Sequence, residues 1–230
     1  MSLTMKQMIV GVTLLLISVT LQARGSPMEP QPAVDLPEPR RTGDFPVEQA
    51  IDERRSVREF APTPLSREEM SQLLWAAQGI TDPARGFRSA PSAGATYPIE
   101  VDLLITGHED IEDGVYRYLP REHALEKRLP GDHRRALYDA ALRQSFILDA
   151  PVLMAISGVV SRTERRYGRR AQRYMHMEAG HVAQNVYLQG TALDIGTVVV
   201  GAFREDEVAD ALQLDPGTEP LYLMPLGRKP

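Results

Sequence analysis

The chain has no cysteine among its 230 residues. That excludes disulfides, thiolate nucleophiles, iron–sulfur clusters and cysteine-ligated zinc. Basic residues are in deficit, with 26 Lys and Arg against 31 Asp and Glu, a net charge of −5. A protein whose main task is electrostatic capture of nucleic acid is normally basic, so that class is disfavoured. Several catalytic signatures are missing as well. There is no G-x-x-x-x-G-K-[ST] phosphate loop, no G-x-G-x-x-G and no G-x-S-x-G nucleophile elbow. Glu178-x-x-His181 has the half-motif spacing of a di-iron helix, but no second Glu-x-x-His accompanies it. His181 is therefore expected as a packed or hydrogen-bonded helix residue, and no metal is expected. An apolar share of 43% suffices for a core.

The charge-free apolar run near the N-terminus, Met8 to Leu21, is shorter than the roughly 20 residues of a spanning helix. Lys6 precedes it and Arg24 follows it, with no acid in residues 1–25. A basic start, a short apolar run and small residues at Ala23 and Gly25 describe a secretory signal peptide cut after Gly25. An uncleaved anchor is the alternative, and a buried helix is disfavoured by the prolines that follow. Export to the periplasm or cell envelope is expected, with any membrane contact made only through an uncleaved N-terminus. Cleavage removes two bases and no acid, taking the net charge from −5 to −7. Residues 26–45, with Pro27, Pro30, Pro32, Pro37 and Pro39, read as an extended linker or wrapping arm. The folded domain is expected over residues 46–230, starting near Pro46.

Within it, Val47 to Arg54 reads as a short helix. Ser66 with Glu69 three residues later forms a capping box for a second helix, ending at Gly79. Pro83 to Pro98 reads as loop. Glu100–Ile105, Gly114–Leu119, Pro151–Ser157, Ile195–Val200 and Leu221–Met224 read as strands, the last closed by Pro225 and Gly227. Helices are expected over 132–147, over a long stretch from Arg162 to Leu193, and over Glu205–Leu212. Because the long helix is no ordinary crossover, the expected class is α+β: a mainly antiparallel sheet flanked by helices.

Three segments stand out for chemistry. Arg54-Arg-Ser-Val-Arg58 joins guanidinium groups and a hydroxyl, a set suited to holding phosphate. Arg88-Ser-Ala-Pro-Ser-Ala-Gly-Ala-Thr-Tyr-Pro98 is rich in small residues that let backbone approach a flat ligand. Met224-Pro-Leu-Gly-Arg-Lys229 ends the last strand on a basic tail. Together with Glu178-Ala-Gly-His-Val-Ala-Gln-Asn185 and Gly196-Thr-Val-Val-Val-Gly-Ala-Phe203, these occur in the order that resembles the nitroreductase-like flavoprotein superfamily, closest to its SagB/ThcOx-type dehydrogenase branch.

The resemblance implies an FMN-dependent oxidoreductase that works as a homodimer with flavin at the interface and the long helix in that interface. By position, Arg54 and Ser56 hold the FMN phosphate within the Arg54–Arg58 segment, Arg55 included. Arg58 reaches the flavin or ribityl chain, and Arg228 is the second phosphate arginine. Pro91, Ser92, Ala93 and Gly94 line the partner subunit's flavin, and Gly201 and Ala202 lie against the isoalloxazine. The expected reaction passes hydride or electrons from a donor such as NAD(P)H to a small organic acceptor, nitro or quinone. The alternative is dehydrogenation of a peptide-derived or small-metabolite substrate, for which Tyr174 is the candidate base. Relatives of that type use a Lys-Tyr pair, whereas Arg173 precedes Tyr174 here, and arginine is a poor proton acceptor. Readings of another class are a non-catalytic flavin-binding module and an envelope interaction protein. The latter would use Arg162, Arg165, Arg166, Arg169, Arg170 and Arg173, which fall on roughly one helical face. The plainer reading of that stripe is a solvated face paired with acids elsewhere.

Overall fold

The protein is described from a computed structural model covering residues 33–230. The signal-peptide reading of residues 1–25 lies outside the described residues. In chain order the elements are β1 (Val34–Asp35), α1 (Val47–Glu53), α2 (Arg67–Gln78), β2 (Ile80–Asp82), β3 (Phe87–Arg88), β4 (Ile99–Ile105), β5 (Gly114–Leu119), β6 (Ala124–Pro130), α3 (Arg134–Ala140), α4 (Phe146–Asp149), β7 (Val152–Val159), α5 (Val160–Tyr167), α6 (Ala171–Ala192), β8 (Ile195–Thr197), α7 (Glu205–Leu212) and β9 (Thr218–Arg228). Seven strands form one sheet in the order β1-β6-β5-β4-β7-β9-β8, and β2 and β3 form a separate ribbon. Every strand pair in the large sheet is antiparallel.

Alternation along the strands builds two cores. Ile99, Val101, Leu103 and Ile105 of β4 join Met154 of β7 and Met224 of β9 beneath α2 and α6. Leu104, Leu153 and Leu223 pack on the opposite face with residues of α3, α4 and α7. The sheet is thus covered by helices on both sides, as the α+β reading requires. The predicted capping box is present: Ser66 Oγ accepts from the Glu69 N–H at 3.2 Å, and Glu69 Oε2 accepts from the Ser66 N–H at 2.8 Å.

Several boundaries differ from those expected, each for a local reason. Sheet pairing begins at Val34 rather than near Pro46, because β1 joins β6 through Val34 and Leu125. Leu36 then enters the core. The Pro37 carbonyl accepts from Ser71 Oγ at 2.5 Å, and Gln72 brackets Arg40 through its N–H (2.8 Å) and its carbonyl (3.0 Å). The prolines keep this stretch extended with carbonyls free to accept, so from Val34 onward it is an arm along the domain and not a loose linker. Strand β6 was not anticipated, since Glu126-Lys-Arg128 interrupts any apolar alternation. The expected 132–147 helix is split by Leu142 and Arg143, whose φ values are 56° and 60°. The expected long helix is cut at Gly168, φ 52°, into α5 and α6. Strand β9 runs through Pro225 and Gly227 instead of stopping there. The ladder to β8 ends at Thr197 opposite Leu226, so Pro225 falls just past it, where a strand tolerates proline. A Cβ on Gly227 would lie 3.0 Å from Phe60, so this glycine permits a close approach and is not a terminator.

Candidate functional site

Two regions of the chain gather the residues singled out by the sequence, and both are tied to α6. The first surrounds Tyr187. Helix α1 stops at Arg54, and the chain leaves extended, so that Ser56 bridges Thr197 and the Val57 N–H donates to the Thr197 carbonyl at 2.9 Å. This lays the Arg54–Arg58 segment beside β8. A Cβ on Gly196 would sit 2.6 Å from Val57, so glycine is what lets the two segments touch. Tyr187 then connects the pieces. Its hydroxyl is 3.1 Å from Ser56 Oγ and accepts the Val199 N–H at 2.8 Å, and the Arg54 guanidinium lies 5.0 Å from its ring centroid. A cavity of about 180 Å³ opens next to it, lined by Arg55, Tyr187, Thr191, Thr197 and Lys229 among others. Thr197 Oγ1 is buried with no hydrogen-bond partner. Arg55 and the orphaned Thr197 hydroxyl are donors suited to an anionic oxygen group, whereas Lys229 is paired with Asp194 at 2.9 Å and Glu53 adds a carboxylate to the lining.

Of the residues the sequence singles out, Arg54, Arg55 and Ser56 gather here, Arg58 and Arg228 point to other partners, and Tyr187 carries no motif of its own. The Arg228 guanidinium is engaged by Glu69 of α2 at 2.7 Å, and Lys229 is the C-terminal cation that lines the cavity. The reason is strand alternation, which turns adjacent residues at the end of β9 to opposite sides. Arg58 lies 6.0 Å from the Phe146 ring centroid. Tyr187 was overlooked because it falls beside, not on, the apolar face of α6. Its signal was a polar aromatic between Val186 and Leu188.

The second region is the loop from Ser89 to Pro98. Gly94, Ala95 and Tyr97 all have positive φ, 59°, 52° and 45°. For Ala95 and Tyr97 this is unfavourable by about 1–2 kcal/mol each. The contacts that hold the loop explain how it persists. Ser92 Oγ accepts the Tyr97 N–H at 2.9 Å, and Thr96 Oγ1 meets the buried Thr163 Oγ1 at 2.8 Å. Arg166 donates to the Gly94 carbonyl at 3.2 Å, and Arg162 to the Tyr97 carbonyl at 3.3 Å. Glu178 Oε1 accepts the Ala93 N–H at 2.8 Å. Burial pushes the Glu178 carboxyl above the usual carboxylate range, while the Ala93 N–H, the Ser92 hydroxyl and His181 pull it back. Glu178 thus carries the function that the Glu-x-x-His spacing obscured. His181 is exposed, not packed as expected.

Tyr174 belongs to the same region through a neighbour. It packs edge-to-face on Tyr167, with centroids 5.1 Å apart. A Cβ on Gly94 would lie 2.8 Å from the Tyr167 hydroxyl. Tyr167 had no signal in the sequence beyond its place at the end of an arginine-rich helix.

Gly201 and Ala202 follow Val200, whose N–H and carbonyl bond Leu223 at 2.8 and 3.0 Å. Both are exposed. A Cβ on Gly201 would make only ordinary contact, 3.6 Å from Tyr222, so the fold itself does not demand glycine there. A cavity of about 710 Å³ lies elsewhere, between residues 40–47, α2 and α6. Of the predicted site segments it reaches Asn185, at the end of the Glu178–Asn185 motif, and Ser89, whose Oγ is buried without a partner.

Comparison with known proteins identifies the family. The profile of the Nitroreductase family matches residues 51–228. The nitroreductase-like protein MJ1384 of Methanocaldococcus jannaschii is 46% identical over 186 residues, covering 81% of this chain and 92% of its own. The microcin B17-processing protein McbC of Escherichia coli is 30% identical over 159 residues, 67% of this chain but only 58% of McbC. A crystal structure of a nitroreductase-like protein from Ralstonia eutropha superposes with a TM-score of 0.77 at 29% identity, covering 89% of this chain and 96% of that one. With the profile spanning nearly all of the described domain, MJ1384 46% identical over 92% of its own length and the Ralstonia eutropha structure sharing the fold, the chain belongs to the nitroreductase family.

Proposed function

We propose that this oxidoreductase uses FMN to pass electrons from a donor such as NAD(P)H to a small organic acceptor of the nitro or quinone type. The observation that carries the reading is the Tyr187 cluster. Arg54, Arg55 and Ser56 supply the cations and hydroxyl for a phosphate, Lys229 joins them by exchanging its Asp194 partner for the phosphate, and Thr197 Oγ1 is a buried hydroxyl still without a partner. When bound, FMN supplies two-electron chemistry at its ring, and the protein supplies position, electrostatics and water exclusion. In this reading Tyr187 fixes Ser56 and Arg54 in place before the phosphate arrives. The Ser92–Gly94 backbone and the exposed Gly201–Ala202 segment provide the close, side-chain-poor surface that a flat ring requires. The reading includes a homodimer. Val47 and Ile51 on α1, 57% and 60% exposed, form an apolar face suited to cover by a second copy.

The test is flavin titration of the purified protein, followed by fluorescence quenching and visible absorbance. FMN uptake is expected, with affinity at least tenfold weaker in Arg54→Ala, the loss of one charge-assisted phosphate contact. Tyr187→Phe keeps the ring but frees Ser56 and should weaken binding less. Protein that takes up no FMN, or an Arg54→Ala variant that binds it unchanged, contradicts the reading. The likeness to McbC favours a second reading, dehydrogenation of a peptide-derived substrate with Tyr174 as base. Tyr174→Phe would then abolish substrate oxidation while leaving quinone reduction intact.

A further inference from the structure

The arginines between residues 162 and 173 are solvated but, Arg162 apart, not paired with acids among the described residues. Among the described residues, the ion pair they make is that of Arg162 with Glu100. Arg166 is spent on the Gly94 carbonyl. Arg165, Arg169 and Arg170 are exposed, and none has a carboxylate partner within ion-pair distance among the described residues. The break at Gly168 also means that these side chains do not run along one straight helix. They crowd around the turn from α5 to α6, with Arg169 and Arg170 in the 3₁₀ turn itself. So much unneutralised positive charge on one turn of a chain of net charge −5 is self-repelling and calls for an anion.

Its position says where that anion goes. The turn begins at Tyr167, whose hydroxyl abuts Gly94, and Tyr174 of the first turn of α6 packs on the same ring. The basic turn therefore adjoins the Ser92–Gly94 loop through Tyr167 and Arg166. We propose that Arg165, Arg169 and Arg170 form an anion subsite beside this loop, which recruits the carboxylate or phosphate of a small redox partner of the enzyme. This rests on the flavin reading above, in which Ser92–Gly94 line the ring. The two sources of that anion are a carboxylated acceptor and a phosphorylated nicotinamide donor.

The subsite is tested by equilibrium dialysis of matched probes, 4-nitrobenzoate against neutral 4-nitrobenzyl alcohol, and NADPH against nicotinamide riboside in its reduced form. Each is run on protein with and without added FMN. The wild type should bind the anionic member of at least one pair about tenfold more tightly, the lower end of what a charged cleft contributes, with the preference falling as salt rises. The pair that shows the preference names the source. A triple Arg165→Gln, Arg169→Gln, Arg170→Gln variant should lose that preference and bind the neutral member unchanged. The matching triple lysine variant should retain most of it, and unchanged thermal melting of both separates this from misfolding. Equal binding of charged and neutral probes by the wild type, or a glutamine variant indistinguishable from it, overturns the proposal. Arginine-dependent sedimentation with anionic vesicles, without any preference among the small probes, overturns it in favour of a lipid-docking surface. Failure to take up FMN instead removes the flavin reading, and the flavin-free dialysis still decides the arginine subsite.

Discussion

The Glu178 carboxylate of α6 accepts the backbone N–H of Ala93 at 2.8 Å, across 85 residues of sequence. This one bond fastens the glycine-bearing loop to the longest helix, and Glu178 is 4% exposed. A half-buried N–H such as that of Ala93, deprived of its acceptor, is unfavourable by about 1 kcal/mol, the low end of the range for buried groups. Glu178→Ala should therefore lower stability by that amount in urea unfolding, whereas Glu178→Gln, which keeps an acceptor, should lose less. The wild type also separates from Glu178→Gln by pH. Burial raises the folded-state pKa of Glu178 above its ordinary value of 4.5. The folded state then holds a proton the unfolded chain has released, so this residue's contribution to stability falls as pH rises from the ordinary carboxylate range through the elevated folded value. The wild-type minus Glu178→Gln stability difference should decline over that interval and flatten above it. A difference that rises with pH would contradict the assignment.

The pair of Arg117 with Asp102 gives a second prediction. Arg117 donates to both Asp102 oxygens, at 2.6 and 3.0 Å, across the β4–β5 ladder, and also to Glu100, which in turn pairs with Arg162. Burial pushes the Asp102 carboxyl up, and the bidentate guanidinium pulls against it. Arg117→Met leaves two acids facing each other with little water, which should lower stability by about 3–5 kcal/mol in chemical denaturation. Arg117→Met combined with Asp102→Leu and Glu100→Gln should recover most of the loss, because a buried ion pair replaced by apolar side chains of similar size is often neutral. Lack of recovery would mean that the pair acts through Arg162 and the Tyr97 carbonyl and not through its own desolvation.

How far these features were legible in the sequence follows from where their causes lie. The capping box at Ser66 and Glu69, the alternation of β5 and helix α7 over Glu205–Leu212 are written in neighbouring residues, and the sequence reading matched them. What escaped it depends on contacts between distant segments. Strand β6 has charge where a pattern would want apolar residues, and it exists because β5 and β1 flank it. The arm at Val34–Arg40 is anchored by Ser71, Gln72 and His123, none of which marks itself as a partner for proline-rich chain. The order of the small-residue and arginine motifs disclosed the family. Alternation at the end of β9 then decided which of Arg228 and Lys229 faces the cavity, and that follows only once strand and register are known.

Gly94 provides the sharpest test of the loop's design. Its φ of 59° suits glycine, and a Cβ there would stand 2.8 Å from the Tyr167 hydroxyl and 2.9 Å from Arg166 Cδ. Gly94→Ala therefore carries two penalties. The left-handed backbone is unfavourable by about 1–2 kcal/mol for any L-residue, and the contact forces Tyr167 or Arg166 to shift. Only the second can be relieved by a neighbour. Tyr167→Phe deletes the obstructing hydroxyl and keeps the ring on Tyr174. In a double-mutant cycle followed by thermal unfolding, Gly94→Ala should thus be less destabilising in the Tyr167→Phe background, with a coupling of about 0.5–1 kcal/mol. Arg166 can swing away into solvent at the expense of its bond to the Gly94 carbonyl, so the residual loss should fall on the loop. Limited proteolysis between Ser89 and Pro98 should then be faster in Gly94→Ala than in the wild type. Strict additivity in the cycle would show that backbone conformation alone, and not the Tyr167 contact, demands glycine at this position.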